Sequence, residues 1–197
     1  MSDSALLIFI KNAEKGKVKT RLAQSVGDDK ALQIYQALLG YTRSIALNID
    51  ADRLLFYSNF VDQNDAWPND QFHKLVQTGS DLGARMQQGF VNALAKHQKA
   101  VIIGSDCATL TVEIVQQAFQ ALDQYDYVIG PAQDGGYYLL GMSQPSPSLF
   151  EDMAWSTDQV LPTTLNRIQQ LQRNYFLLPE LSDIDYAEDW EKYGWEV

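Results

Sequence analysis

The 197-residue chain has a single cysteine, Cys107, which excludes an internal disulfide framework and any zinc site built from cysteines. No apolar run approaches the roughly 20 residues that span a bilayer. The amino terminus sets acidic Asp3 before a short apolar stretch, unlike a signal peptide, so a cytoplasmic protein without a membrane span is expected. Positive charge is scarce: 15 Lys and Arg stand against 25 Asp and Glu, a net charge of -10. Nucleic-acid binders need a basic face to displace counterions, so a DNA or RNA partner is excluded. The first apolar stretch is followed by neither G-x-x-x-x-G-K-[ST] nor G-x-G-x-x-G, so neither common phosphate fingerprint is present.

Hydrophobic residues make up 46% of the chain and are spread along it, enough for one core in one domain over 1–197. Ala5 to Ile10 reads as a strand buried on both faces, followed by an amphipathic helix from Asp28 to Ile49 and a strand from Arg53 to Ser58. A polar loop leads to a short strand at Phe72 to Gln77. The next helix is expected from Asp81 to about His97, capped by Ser80, and a buried strand from Ala100 to Gly104. Thr111 caps a helix to about Leu122, and strands follow at Tyr127 to Gly130 and Gly136 to Met142. Ser156 and Gln159 have capping-box spacing for a helix to about Gln172, although Pro162 moves its start toward Leu161. Tyr175 to Leu178 and Tyr186 to Tyr193 close the chain as strand and helix. This alternation predicts an α/β fold with a mostly parallel central sheet flanked by helices.

In such sheets ligands sit beyond the carboxyl ends of the strands. The first exit, Lys11 to Leu22, carries Lys11, Lys15, Lys17, Lys19 and Arg21, a cationic patch on an acidic chain. Gly16 lets its backbone turn, and Lys and Arg suit phosphate, with Lys19 and Arg21 the best candidates. The exit at Gly104 to Leu110, GSDCATL, offers Ser105 as a nucleotide contact and Asp106, which either holds Mg²⁺ or Mn²⁺ against donor phosphates or caps the next turn. Cys107 reads as a small buried residue, and His73 and His97 as satisfied surface groups. Asp134, Gly135 and Gly136 with Tyr137 form either a ligand-facing loop or an ordinary turn. Gly79 and Arg85 lie at a helix start suited to an anion, unless Asp81 and Arg85 simply pair. Trp155 and Ser156 could line an acceptor pocket. Asp183, Asp185, Glu188 and Asp189 form a dense acidic cluster that needs a cation or a helix terminus, or is a solvated face.

In order, Lys11 to Leu22, Gly79 to Met86, GSDCATL, QDGGYYLLG, WSTDQVL and DIDYAEDW resemble the motifs of a small bacterial family of GT-A-fold glycosyltransferases. That family is associated with radical-SAM and selenium-domain proteins and is also described as nucleotide-diphospho-sugar transferase-like. The layout is similar to the wider nucleotidyltransferase group, including 2-phospholactate and molybdenum-cofactor guanylyltransferases. The resemblance implies a Rossmann-like GT-A domain with Lys19 and Arg21 on phosphates, Asp106 and Asp185 on a metal, and Asp134 to Tyr137 facing sugar or acceptor. The chain departs from the pattern at Ala108, where a proline is usual, at Tyr186-Ala187, where Thr-Pro is usual, and in having one Asp106 rather than D-x-D.

Three functions follow. The first is metal-dependent glycosyl transfer from a nucleoside-diphosphate sugar to a small-molecule acceptor, with Asp134 as base. The second is nucleotidyl transfer from a nucleoside triphosphate to a phosphorylated acceptor, favoured by the abundance of cations in the first loop. The third is a catalytically silent nucleotide-binding module. The oligomeric state is left open, and a homo-oligomer is compatible with the sequence.

Overall fold

The computed structural model describes residues 2–197. Seven strands, β1 (Ser4–Ile10), β2 (Asp52–Tyr57), β3 (His73–Val76), β4 (Lys99–Ile103), β5 (Tyr127–Pro131), β6 (Tyr137–Met142) and β7 (Tyr175–Leu177), form one sheet in the order β3-β2-β1-β4-β6-β5-β7. Every neighbouring pair is parallel except the two made by β6. Six α-helices flank the sheet: α1 (Thr20–Val26), α2 (Asp28–Leu47), α3 (Leu82–Leu94), α4 (Val112–Ala121), α5 (Val160–Gln170) and α6 (Ala187–Tyr193).

Alternation along β1 explains why its sequence is apolar throughout. Leu6, Ile8 and Ile10 pack on one face with Ile45 and Ala46 of α2 and Val115 and Ala118 of α4. Ala5 and Leu7 pack on the other with Met86, Phe90 and Ala93 of α3 and Ile168 of α5. A strand covered on both faces has no polar side to show, and each fully buried Leu or Ile stabilises the fold by about 1.5–3 kcal/mol. A third cluster seats α1 and α6 against α2 through Leu22, Ile34, Leu38, Ala108 and Ile184.

The chain leaves β1 toward β2 and β3 on one side, then returns to β4 on the other. The carboxyl ends of β1 and β4 therefore diverge at a switch point, where open α/β sheets bind ligands. Antiparallel β6 starts at this same edge, because Leu139 is paired with Ile103, the last residue of β4.

Several local expectations are corrected. Thr20, Arg21 and Leu22, read as the end of a loop, open helix α1. Helix α3 is capped by Asp81, whose Oδ1 accepts from the Ala84 N–H at 2.9 Å, rather than by Ser80, and it ends at Leu94. No side chain caps α5, so the Ser156/Gln159 box does not form; Pro162 sits in its first turn, where no backbone N–H is needed. His97 is buried rather than on the surface: Nε2 lies 2.9 Å from Asp52 Oδ2 and Nδ1 2.9 Å from the Ala93 carbonyl. Thr111 does cap α4, accepting from the Ile114 N–H. Among the described residues no helix is long and apolar enough to cross a membrane.

Candidate active site

The loop after β1 is anchored before it is charged. Asn12 is buried; its Oδ1 accepts from Ser58 Oγ and the Asn59 and Phe60 N–H groups, and its Nδ2 donates to the Phe60 carbonyl. The Tyr35 hydroxyl, from α2, bonds both the N–H and the carbonyl of Lys11. Burial, with Asp106 nearby, pushes the Tyr35 phenol up, so it acts here as a neutral brace.

The five cations of this loop then separate. Lys15 pairs with Asp29 at 2.6 Å and Lys17 with Glu14 at 2.8 Å, both exposed, and neither lines the cleft at the switch point, whereas Lys11, Lys19 and Arg21 do. Lys19 has φ 48° and ψ 44°, a left-handed conformation that costs a non-glycine residue on the order of 1–3 kcal/mol and clusters at functional sites. This turn buries its ammonium at 5% side-chain exposure, 2.8 Å from Asp106 Oδ1 and 3.7 Å from Asp185 Oδ1. Lys19 Nζ is thus buried in an ion pair with Asp106, and among the described residues it makes no aligned hydrogen bond. Arg21 reaches Asp185 Oδ2 at 3.0 Å, its guanidinium 6.0 Å from the centre of the Tyr186 ring.

The carboxylates come from two loops zipped together. Ile184 N–H donates to the Asp106 carbonyl at 2.8 Å, and Cys107 bridges Asp183. Asp106, Asp183 and Asp185 therefore meet at the cleft, joined by Asp134 from the turn before β6. Burial, then the negative charge of Asp106, pushes the Asp183 carboxyl up to about 7, with Asp134 and Asp185 adding to the rise and Lys19 opposing it. Asp134 is exposed; Oδ1 accepts from the Gly136 N–H at 2.9 Å, and Oδ2 makes no hydrogen bond to the described residues. Burial likewise raises the Cys107 thiol, in keeping with an inert packing role.

The opposite wall comes from β3 and α3, with Gln77, Leu82, Arg85 and Met86, and from Tyr137, Trp155 and Ser156. Gly83 has no room for a Cβ, which would fall 2.7 Å from the Trp155 indole; the indole thus packs against the first turn of α3. The cleft encloses about 680 Å³. Ser105 and Gly136 also line it, whereas Gly16, Gly79 and Gly135 do not. Those three serve the backbone: Gly16 turns at φ +75°, Gly79 packs against the Arg85 N–H, and Gly135 at φ +86° packs against the backbone of Asp158. Arg85 does not pair with Asp81; its Nε donates to the Gly79 carbonyl at 3.3 Å. Asp183 and Gln77 were not singled out from the sequence. Asp183 was visible only as one member of an acidic cluster, and Gln77 carried no signal.

Four carboxylates face four cations here (Lys11, Lys19, Arg21 and Arg85), so with all ionised the cleft has no surplus positive charge for a polyphosphate. The donor set is all oxygen, which suits Mg²⁺ or Mn²⁺, and the raised Asp183 registers a crowding of like charge that a divalent cation would relieve. One oxygen of Asp106 and both oxygens of Asp185 already face Lys19 or Arg21, so the second oxygen of Asp106 and the Asp183 carboxyl are the better placed for such an ion. Among the described residues no three acidic, His or Cys side chains converge at ligand spacing, and the protein would supply two ligands at most without rearrangement.

The strand order and the cleft at its switch point define the nucleotide-diphospho-sugar transferase fold. A Desulfovibrio desulfuricans G20 protein, provisionally assigned as a nucleotide-diphospho-sugar transferase, is 34% identical, with a TM-score of 0.88 over 94% of this chain and 84% of that one. The inositol-1-phosphate CTP transferase of T. maritima is 12% identical, with a TM-score of 0.60 over 95% and 91% of the two chains. Rv0371c of Mycobacterium tuberculosis H37Rv, in complex with manganese, is also 12% identical, at 0.60 over 98% of each. At such low identities the last two establish the fold alone. No curated protein matches the chain. The chain belongs to the family described as uncharacterized protein conserved in bacteria (DUF2064), whose model matches residues 41–157.

Proposed function

We propose that the protein is a nucleotide-dependent transferase that moves a glycosyl group from a nucleoside-diphosphate sugar to a small acceptor with the help of a divalent metal. The observation that carries this reading is the Lys19 ammonium, buried against Asp106 and set beside Arg21 in the cleft at the end of β1. One close carboxylate leaves N–H donors of the ammonium unused, and a leaving diphosphate is an anion that accepts from them. The relative at 34% identity, provisionally assigned as a nucleotide-diphospho-sugar transferase, supports the same choice.

In this mechanism the bond from the sugar's anomeric carbon to the diphosphate oxygen breaks and its electron pair stays on the diphosphate. Lys19 and Arg21 stabilise that charge, and Lys11 and Arg85 hold the rest of the donor. The acceptor hydroxyl attacks the anomeric carbon and gives its proton to Asp134 Oδ2, on a carboxylate already oriented through Oδ1. Asp106 and Asp183 would hold the metal, which supplies further charge compensation at the departing phosphates. The Trp155 indole shields the sugar from water.

Nucleotidyl transfer is the second reading. Its main support, five cations in the first loop, shrinks to three once Lys15 and Lys17 are satisfied on the surface, so a diphosphate is the better match. The silent-module reading loses ground too, because the loops lacking the usual prolines are fixed otherwise: Ile184 N–H holds Asp106, and Asp189 Oδ2 accepts from the Asp185 and Tyr186 N–H groups. A panel of nucleoside-diphosphate sugars and nucleoside triphosphates, incubated with and without Mn²⁺, tests the proposal. Slow metal-dependent release of a nucleoside diphosphate, with water as acceptor, is expected. Pyrophosphate release from a triphosphate would replace it with the second reading, and binding without turnover with the third.

A further inference from the structure

Gln77 follows β3 directly, and its side chain lies across the carboxyl edge of the sheet. Its Nε2 donates to the carbonyl of Ile10, the last residue of β1, and to that of Phe56 in β2, each at 3.1 Å. Its backbone N–H donates to the Tyr57 carbonyl at 2.9 Å. Both partners of the side chain are carbonyl oxygens, which only accept, so the orientation of the amide is fixed, and both of its hydrogens are used. The carbonyl oxygen, Oε1, makes no hydrogen bond to the described residues. Gln77 lines the same cleft as Phe9, Leu82 and Met86, apolar side chains on which a flat ring can lie.

The position suits one part of a nucleotide. The exit of β3 lies two strand spacings, about 10 Å, from that of β1, where the loop carrying Lys19 begins. A nucleoside spans that separation between its base edge and its 5′ oxygen. We infer that Gln77 reads the base of the donor nucleotide, with Oε1 accepting a hydrogen bond from an amino or imino N–H on the base edge. The inference rests on the nucleotide reading above and adds to it which side chain selects the base and what chemistry it selects. Because Nε2 is locked onto β1 and β2, the amide cannot flip to offer a donor instead, so a base presenting only acceptors at this point leaves two lone pairs opposed.

Calorimetry with ADP, CDP, GDP, UDP and inorganic pyrophosphate tests this on the whole chain and on Gln77→Met, which keeps length and removes the acceptor. The unaltered protein is expected to prefer one base by about tenfold, and the variant to lose that preference while keeping its affinity for pyrophosphate. Retention of the preference by a folded Gln77→Met protein overturns the inference and leaves the nucleotide reading intact. Equal affinity of the unaltered protein for pyrophosphate and for all four diphosphates overturns both. Should the variant fail to fold, the preferred diphosphate is compared with its analogue methylated at the edge N–H, using the unaltered protein. A loss of about tenfold supports Gln77 as reader, and unchanged affinity for the methylated base refutes it.

Discussion

Replacing Asp183 by Asn should make the folded protein more stable at high pH. The carboxyl is raised from its ordinary 3.8 to about 7 by burial and by Asp106, so the folded state holds a proton that the unfolded chain has lost. Its contribution to stability is therefore fully present below pH 3.8, declines as the pH rises, and is gone above about 7. A shift of that size destabilises the folded state at pH 8 by at most about 4 kcal/mol, and solvent at a partly buried group reduces this to about 2 kcal/mol. Asn keeps the shape and removes the charge. Urea unfolding in EDTA at pH 4 and pH 8 should show the variant nearly as stable as the unaltered protein at the lower pH and about 2 kcal/mol more stable at the higher. The same variant should bind Mn²⁺ more weakly, the trade expected where a strained site is functional. A stability difference that is the same at both pH values, or a variant less stable at pH 8, would refute the electrostatic reading of this cluster.

Two further perturbations test the frame around the site. His97→Ala removes a buried ring and its bonds to Asp52 and the Ala93 carbonyl, and should cost about 2 kcal/mol near neutral pH. The His97 bond holds the Asp52 carboxyl below its ordinary 3.8, so the Asp52 part of this loss should be present above 3.8 and fade as the pH falls through the lower folded value; an unchanged gap as the pH is lowered from 6 to 2.5 would contradict the pairing. Gly83→Ala places a methyl 2.7 Å from the Trp155 indole and 2.9 Å from the Phe150 carbonyl. It should cost about 1–3 kcal/mol and shift the Trp155 fluorescence, isolated by difference against Trp155→Phe; an unchanged spectrum would show that the indole does not rest on α3.

The architecture was readable because strands covered on both faces must be apolar throughout and helices flanking them must alternate. The site was readable where chemistry and position coincide: Lys19, Arg21, Asp106 and Asp134 all follow or precede strands at the carboxyl edge, and all line the cleft. What escaped depends on contacts between distant segments. Nothing local separates Lys19 from Lys15 and Lys17; only the folded loop hands those two to Asp29 and Glu14. Gln77 gains a defined orientation only when three parallel strands come into register. Asp183 acquires its raised carboxyl from a bridge to the loop of Asp106, and His97 is buried by a partner 45 residues away. Helix α1 is a single short element, and its apolar positions Leu22, Ala23 and Val26 become a face only against α2 and α6.

The central claim is that a buried, strained Lys19 beside Arg21 receives the phosphates of a nucleotide donor. Calorimetry of Lys19→Met and Arg21→Ala against nucleoside diphosphates and the corresponding free nucleosides, with circular dichroism to verify folding, tests it most directly. Each folded variant should bind the diphosphates about 10- to 100-fold more weakly, the range for a lost charge-assisted contact, with nucleoside affinity unchanged. Diphosphate affinity that survives both substitutions would contradict the claim.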